Sequence, residues 1–316
     1  MVENIVTTSA LRKEYFETVA VADIDLAIPP GQIFGLIGPN GAGKTTTLRM
    51  LATTLEPTSG TAYFQGLDVW KDPRSLRDRI GFMPDFFQMY GGLTVTELLR
   101  YFGIAHGLSG TELRRRVAEV LALIDLAEKA DSPVKGLSRG MMQRLGFGRA
   151  ILHRPKLLLL DEPASGLDPL ARKRLFDLLL HVHEQGTTVI ISSHILGELS
   201  EVCTSIGIMD HGRFLETGHT DRIVRKIMPK RQITVQLVTE TAAAAKLLAE
   251  QTGVSDVKAT GRSVQFLFDG EDAALAELNA SLMRAGVAVA LTEESRTSLH
   301  EVYFAIAQRS EHAAGL

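Results

Sequence analysis

The stretch that most constrains this chain is Gly38-Pro39-Asn40-Gly41-Ala42-Gly43-Lys44-Thr45. It follows the apolar run Ile33-Phe34-Gly35-Leu36-Ile37 and opens a segment of helical pattern from Thr45 to about Leu55. A buried strand, a glycine-rich turn and a helix in that order gather backbone N–H groups around one point, because glycines put no Cβ in the way. The helix start adds the positive end of its dipole, so the loop suits phosphate. The spacing G-x-x-x-x-G-K-T places a lysine for the outer phosphates and a threonine hydroxyl for Mg²⁺. The candidate phosphate-binding residues are Gly38, Pro39, Asn40, Gly41, Ala42, Gly43, Lys44, Thr45 and the adjoining Thr46.

The rest of the first two-thirds fits one α/β layer. Pro29-Pro30-Gly31 reads as a turn, and residues 61–70 alternate like a strand. Residues 93–131 are helical by pattern, with Thr94 and Thr111 as caps and Glu97 three positions after Thr94. Lys156 to Leu160 is an apolar strand, Leu170 to Gln185 a helix, and Thr187 to Ser192 a second buried strand. Near-continuous apolar strands alternating with helices imply a mainly parallel central sheet. The character changes near Met228-Pro229-Lys230-Arg231. Beyond it the pattern is strand 232–239, helix 241–252, strands 254–260 and 263–268, helix 271–285 and strand 287–293. That βαββαβ order is the ferredoxin-like split arrangement. A last helix, about 298–308, and a loose tail follow. The expected organisation is a nucleotide-binding domain over 1–229, with a helical subdomain at about 86–150, and a smaller α+β domain over 230–310.

Composition narrows the function classes. At 316 residues the chain has room for about two domains. A net charge of −3 gives no support to nucleic-acid binding. The only basic triplet, Arg114-Arg115-Arg116, reads as a solvated helix face. One cysteine, Cys203, excludes an intrachain disulfide and a cysteine-based zinc site. The N-terminus lacks the pattern of a signal peptide. No apolar run approaches the roughly 20 residues of a membrane span.

Leu157–Leu160 ends in Asp161-Glu162-Pro163. A parallel strand ending in an acid delivers a carboxylate to the sheet edge where α/β ligands bind. Asp161 is the candidate Mg²⁺ holder, with Thr45, and Glu162 the candidate base for an attacking water.

With those residues in place, Leu137-Ser138-Arg139-Gly140-Met141-Met142-Gln143-Arg144 is the distinguishing segment. It resembles the Leu-Ser-Gly-Gly-Gln signature of the ATP-binding subunits of ATP-binding cassette (ABC) transporters, with departures at Arg139 and Met141. Ser138 reads as a helix cap that leaves Gly140 and the next N–H groups to hold an anion. Arg139 either adds positive charge near phosphate or faces solvent. The resemblance covers about residues 4–225 and implies roles for further residues. Ser138 and Gly140 would meet the γ-phosphate bound by a second subunit. Ser165-Gly166-Leu167-Asp168 resembles the D-loop, which faces the partner's cradle. His194 resembles the switch histidine on the γ-phosphate. Tyr15 resembles the aromatic that stacks on adenine; the alternative is a strand aromatic in the core. After Arg79–Pro84 the family has a glutamine, and this chain has Asp85, with Gln88 three residues on. Either Asp85 acts on the metal, or Asp85 ends the strand and Gln88 does the reaching. Thr297–Tyr303 resembles the tail motif of bacterial exporter ATPases with a small extra domain.

The resemblance therefore implies an ATPase with ATP and Mg²⁺, paired with a second copy of itself and with membrane-spanning permease subunits, at the cytoplasmic face of the membrane. Export is the expected direction. The alternative is a soluble ABC ATPase that remodels a macromolecular complex; such relatives usually carry two cassettes or a long coiled coil, and neither is evident here.

Overall fold

The structure is a computed structural model that describes residues 4–85, 92–194, 199, 202–227, 230–238 and 242–295. Gln88, the Thr297–Tyr303 segment and the expected last helix lie outside the described residues. The chain divides into two compact units, Met1–Thr220 and Asp221–Leu316.

The centre of the first unit is a six-stranded sheet. Its strands are β3 (Ile33–Ile37), β6 (Ile80–Met83), β7 (Leu157–Leu160), β8 (Thr188–Ser193), β9 (Ser205–Asp210) and β10 (Arg213–His219). They lie in the order β10-β9-β3-β8-β7-β6. All neighbours are parallel except the β9–β10 pair. Every residue of β3, β7 and β8 is buried, as strands covered on both faces require. A second, antiparallel sheet has the order β2-β1-β4-β5, built from β1 (Val6–Tyr15), β2 (Thr18–Ile28), β4 (Ser59–Phe64) and β5 (Leu67–Asp68). The single strand expected over 61–70 is thus a hairpin that turns at Gln65-Gly66. Leu48 and Met50 of helix α1 (Lys44–Leu51) join Phe34, Leu159, Ile190 and Phe64 in the core between the sheets. A short helix, α2 (Pro73–Arg77), precedes β6.

The helical segment contains α3 (Val95–Ala105), α4 (Gly110–Leu123) and α5 (Arg139–Ile151). At the head of α3, Thr94 Oγ1 accepts from Glu97 N at 3.2 Å and Glu97 Oε2 accepts from Thr94 N at 2.9 Å, a complete capping box. Thr111 does not cap α4. Ser109 holds that position, and Thr111 sits inside the first turn, where its hydroxyl accepts from Arg114 at 3.2 Å. Arg116 is not a solvated charge either. It donates to the carbonyls of Ile151 at 2.7 Å and Leu152 at 2.8 Å, which satisfies the end of α5. Helix α6 (Pro169–Glu184) lies between β7 and β8 in the chain.

Helix α7 (Thr220–Ile227) leads into the second unit. That unit holds β11 (Arg231–Leu237), α8 (Ala242–Ala249), β12 (Val254–Thr260), β13 (Ser263–Phe268), α9 (Asp272–Arg284) and β14 (Val289–Ser295). The antiparallel order β12-β13-β11-β14 is the ferredoxin-like arrangement. Ile233, Val235, Val264, Phe266 and Phe268 form one sheet face, packed with Leu248, Leu278 and Leu282 from the two helices.

Candidate functional site

Parallel pairing decides where the candidate residues meet. Ile37 lies opposite Ser193, Leu160 opposite Ile191, and Met83 opposite Leu160. The residues that follow those strand ends therefore share one edge: the Gly38 loop, Asp85, Asp161-Glu162 and His194. Open α/β sheets bind ligands at this edge.

Two of the loop glycines leave no room for a side chain. A Cβ on Gly43, at φ +101°, would stand 2.5 Å from Ala20 O, and one on Gly38 would stand 2.2 Å from Met209 O. Ala42 N donates back to Pro39 O at 3.2 Å, which tightens the turn before α1. Lys44 is 5% exposed; its Nζ donates to Gly38 O at 2.7 Å and Pro39 O at 3.1 Å. The same Nζ stands 3.3 Å from Glu162 Oε1. Glu162 Oε2 lies 2.7 Å from His194 Nδ1, so lysine, glutamate and histidine form one chain of contacts. Glu162 holds φ +47°, a conformation uncommon for a side chain with a Cβ. Its N–H donates to Ser192 Oγ at 2.9 Å, which helps to secure the turn.

Asp161 is fully buried. Its Oδ1 accepts from Thr45 Oγ1 at 3.0 Å and from Ser192 Oγ at 2.8 Å. Its Oδ2 is buried with no hydrogen-bond partner among the described residues. Burial pushes the Asp161 carboxyl above the usual range, and the charges of Asp85 and Glu162 push the same way against the Ser192 and Thr45 hydrogen bonds. A buried carboxylate with a free oxygen beside a threonine hydroxyl is a donor set that fits Mg²⁺. That ion characteristically takes one or two carboxylates plus substrate phosphates. Asp85 is also raised, by burial first and then by Glu162, with Arg139 and His194 opposing. These charges place Asp85 in the same electrostatic neighbourhood.

The remaining candidates make contacts of their own. Ser138 caps α5, accepting from Met141 N at 3.3 Å, and Gly140 lies in its first turn. Asp168 caps α6, accepting from Ala171 N at 2.9 Å. Tyr15 ends β1 and is 41% exposed, so it is not a core aromatic; Lys13 Nζ lies 5.4 Å from its ring centre. Arg139 is exposed, and its Nη2 donates to Ser165 O at 2.8 Å. Sequence reasoning missed Ser192. Its one signal is a hydroxyl directly after the apolar buried run Val189–Ile191.

A glycine-rich phosphate loop at the carboxyl edge of a parallel sheet, with a buried aspartate and an adjoining glutamate, defines a P-loop nucleoside triphosphatase. The chain belongs to the ABC transporter family, as an ATP-binding, ATP-hydrolysing transport subunit. A family model described as ABC transporter matches residues 21–165. The chain is 36% identical to the daunorubicin/doxorubicin resistance ATP-binding protein DrrA of Streptomyces peucetius, over 95% of its own length and 92% of that protein's. It is 31% identical to the bacitracin transport ATP-binding protein BcrA of Enterococcus faecalis, over 96% of both chains. A solved structure described as the ATP-binding subunit of an ABC transporter superposes with a TM-score of 0.65 at 31% identity, covering 70% of this chain and 92% of that one.

Proposed function

We propose that this chain is the ATPase of an exporter that works at the cytoplasmic face of the membrane, as two copies joined to permease subunits. The observation that carries the reading is the contact chain Lys44–Glu162–His194 beside the unpartnered Asp161 Oδ2. Two likenesses support export. The relatives matched over nearly their full lengths are named for drug resistance and for bacitracin transport, and the matches extend into the second unit. No helix among the described residues is long and apolar enough to cross a membrane, so the permease would be supplied by other chains.

The chemistry follows from the residues. Backbone N–H groups from Asn40 to Thr46 hold the phosphates, and Lys44 exchanges its loop carbonyls for phosphate oxygens. Thr45 and Asp161 would hold Mg²⁺, which would neutralise charge on the nucleotide's phosphates. Glu162 accepts a proton from the attacking water as the water oxygen bonds to the γ-phosphorus. The bond from that phosphorus to the β–γ bridging oxygen breaks, giving ADP and phosphate. His194 fixes Glu162 through Nδ1 and turns its other face to the γ-phosphate. Tyr15 stacks on adenine. Ser138, Gly140 and Asp168 complete the site of the second copy. Closure on ATP drives the permease, and hydrolysis releases it.

The test is size against nucleotide. Glu162→Gln protein holds ATP without turning it over, so Mg-ATP shifts it from monomer to dimer on a sizing column. A monomer unchanged by Mg-ATP contradicts the paired-subunit reading.

A further inference from the structure

The turn that closes the β1–β2 hairpin carries a side chain that the fold does not use. Tyr15 pairs with Thr18, so Phe16 and Glu17 form the tip. Phe16 is fully exposed, whereas the next most exposed large apolar side chains among the described residues, Ile104 and Leu170, are 61% exposed. Phe16 also holds φ +51°, a region that a bulky side chain adopts only at a cost. No other phenylalanine, tyrosine or tryptophan among the described residues has a positive φ. Glycine or asparagine would fit the turn with less strain, and neither would put an apolar ring in water. A ring that gains no burial and strains its backbone points to a contact with a group from outside the chain.

The hairpin is braced close to its tip. Lys13 Nζ donates to Glu56 O at 2.8 Å, Glu14 N to Thr58 Oγ1 at 3.0 Å, and Arg12 Nη1 to Asp23 Oδ2 at 2.8 Å. The same hairpin is fastened to the phosphate loop. Ala22 N donates to Gly212 O at 2.8 Å, and Gly212 N donates to Ala42 O at 3.0 Å. Ala20 O lies against both glycines beside it: a Cβ would meet it at 2.5 Å on Gly43 and at 2.9 Å on Gly212. Phe16 is four residues before Ala20, so the two are separated by no more than about 14 Å. A nucleotide with its phosphates in the Gly38–Thr45 loop can bridge that interval, and its base, a flat π-surface, is the part farthest from the loop. In a regular strand Tyr15 and Phe16 would face opposite ways; the left-handed φ of Phe16 breaks that alternation.

We infer that Phe16 is a second aromatic that stacks on the nucleotide base, beside Tyr15, and adds affinity for the nucleoside part of ATP. The inference rests on the reading of Gly38–Thr46 as the phosphate site and not on the direction of transport.

The experiment separates base from phosphate in the full chain. Calorimetry gives dissociation constants for magnesium adenylyl imidodiphosphate, a non-hydrolysable ATP analogue, and for magnesium triphosphate, which has no base. The proteins are the parent, Phe16→Asn, Phe16→Trp and Lys44→Ala, each with its unfolding midpoint. Phe16→Asn suits the left-handed turn and removes the ring. It is expected to weaken the ATP analogue about 5-fold or more and to leave triphosphate within about 2-fold of the parent. Its unfolding midpoint is expected at or above the parent's, since no packing is lost. Phe16→Trp keeps a π-surface and is expected to bind the analogue within about 3-fold of the parent. Its emission, over that of the single native Trp70, should change with the analogue and not with triphosphate. Lys44→Ala is expected to weaken both ligands. A Lys44→Ala protein that binds both like the parent would overturn the phosphate site itself. An unchanged Phe16→Asn beside a weakened Lys44→Ala overturns the stacking role alone. Equal loss of analogue and triphosphate in Phe16→Asn also overturns it, because the hairpin would then be shaping the loop. Unchanged analogue affinity in Phe16→Asn with loss of an ATP-driven dimer would hand the ring to the second copy, which overturns it as well.

Discussion

The nucleotide edge of the first unit and the antiparallel sheet of the second differ in where their strand ends go. In the first, β3, β6, β7 and β8 all run the same way, so the residues after each strand gather on one edge. Four short segments far apart in sequence thereby share a site. In the second, neighbouring strands alternate in direction, and their ends are divided between two edges. Charged groups there pair locally: Arg231 meets Glu294 at 2.6 Å and Asp272 at 2.9 Å. The polar groups of the first edge are arranged differently, since Asp161 keeps a buried oxygen with no partner among the described residues. A buried polar atom without a partner is costly, so its persistence marks a place built for something else to bind. The catalytic residues proposed above all lie in the first unit; for the second, a regulatory or dimer-supporting role is the expectation.

The sharpest way to break this comparison is at Glu162. Glu162→Gln keeps the shape and removes the base, so ATP should still bind while turnover falls about 10²–10⁴-fold. A variant that hydrolyses ATP at the parent rate would remove Glu162 from the role assigned here. A smaller effect is expected at Asp85. Asp85→Ala should need roughly 10-fold more Mg²⁺ for half-maximal ATPase, or turn over more slowly by a similar factor. The companion variant Gln88→Ala decides the alternative. If Asp85→Ala matches the parent at every Mg²⁺ level while Gln88→Ala is crippled, Gln88 is the reaching residue.

A separate effect concerns stability rather than turnover, at the opposite end of β6 from the nucleotide edge. His153 Nε2 lies 3.2 Å from Ile80 O, and its ring stacks on His106 at 3.8 Å. Burial, then the neighbouring His106, holds His153 down to about 4. A histidine depressed in the fold is kept neutral there, while the unfolded chain takes up a proton near pH 6.5. The stabilisation is therefore complete above about pH 6.5 and is lost as the pH falls toward 4, by up to about 3 kcal/mol. Chemical unfolding of parent and His153→Gln between pH 7 and pH 4.5 measures it. The parent should lose the larger amount over that interval; parallel curves would assign the acid effect elsewhere.

How much of this could be read in the sequence depended on contiguity. The phosphate loop is eight consecutive residues, and Asp161-Glu162 directly ends an apolar run, so each carried its own local pattern. The six elements of the second unit were legible because period-2 and period-3.6 patterns alternate there without interruption. The 61–70 stretch was not, because the turn at Gln65-Gly66 interrupts an alternation that continues on either side. Thr111 was misread as a cap because Ser109 two residues earlier occupies the boundary position. Ser192 and Arg139 escaped for a different reason. Their partners are 30 or 31 and 26 residues away, and no local spacing encodes a contact that only folding creates.

The division of labour between the two regions is tested most directly by removing the second unit. ATP affinity is measured by equilibrium binding for the full chain and for a folded protein that ends at residue 229. The account predicts dissociation constants within about 3-fold of each other, since every group proposed to hold phosphate lies in the first unit. A truncated protein that remains folded and has lost ATP binding would contradict it.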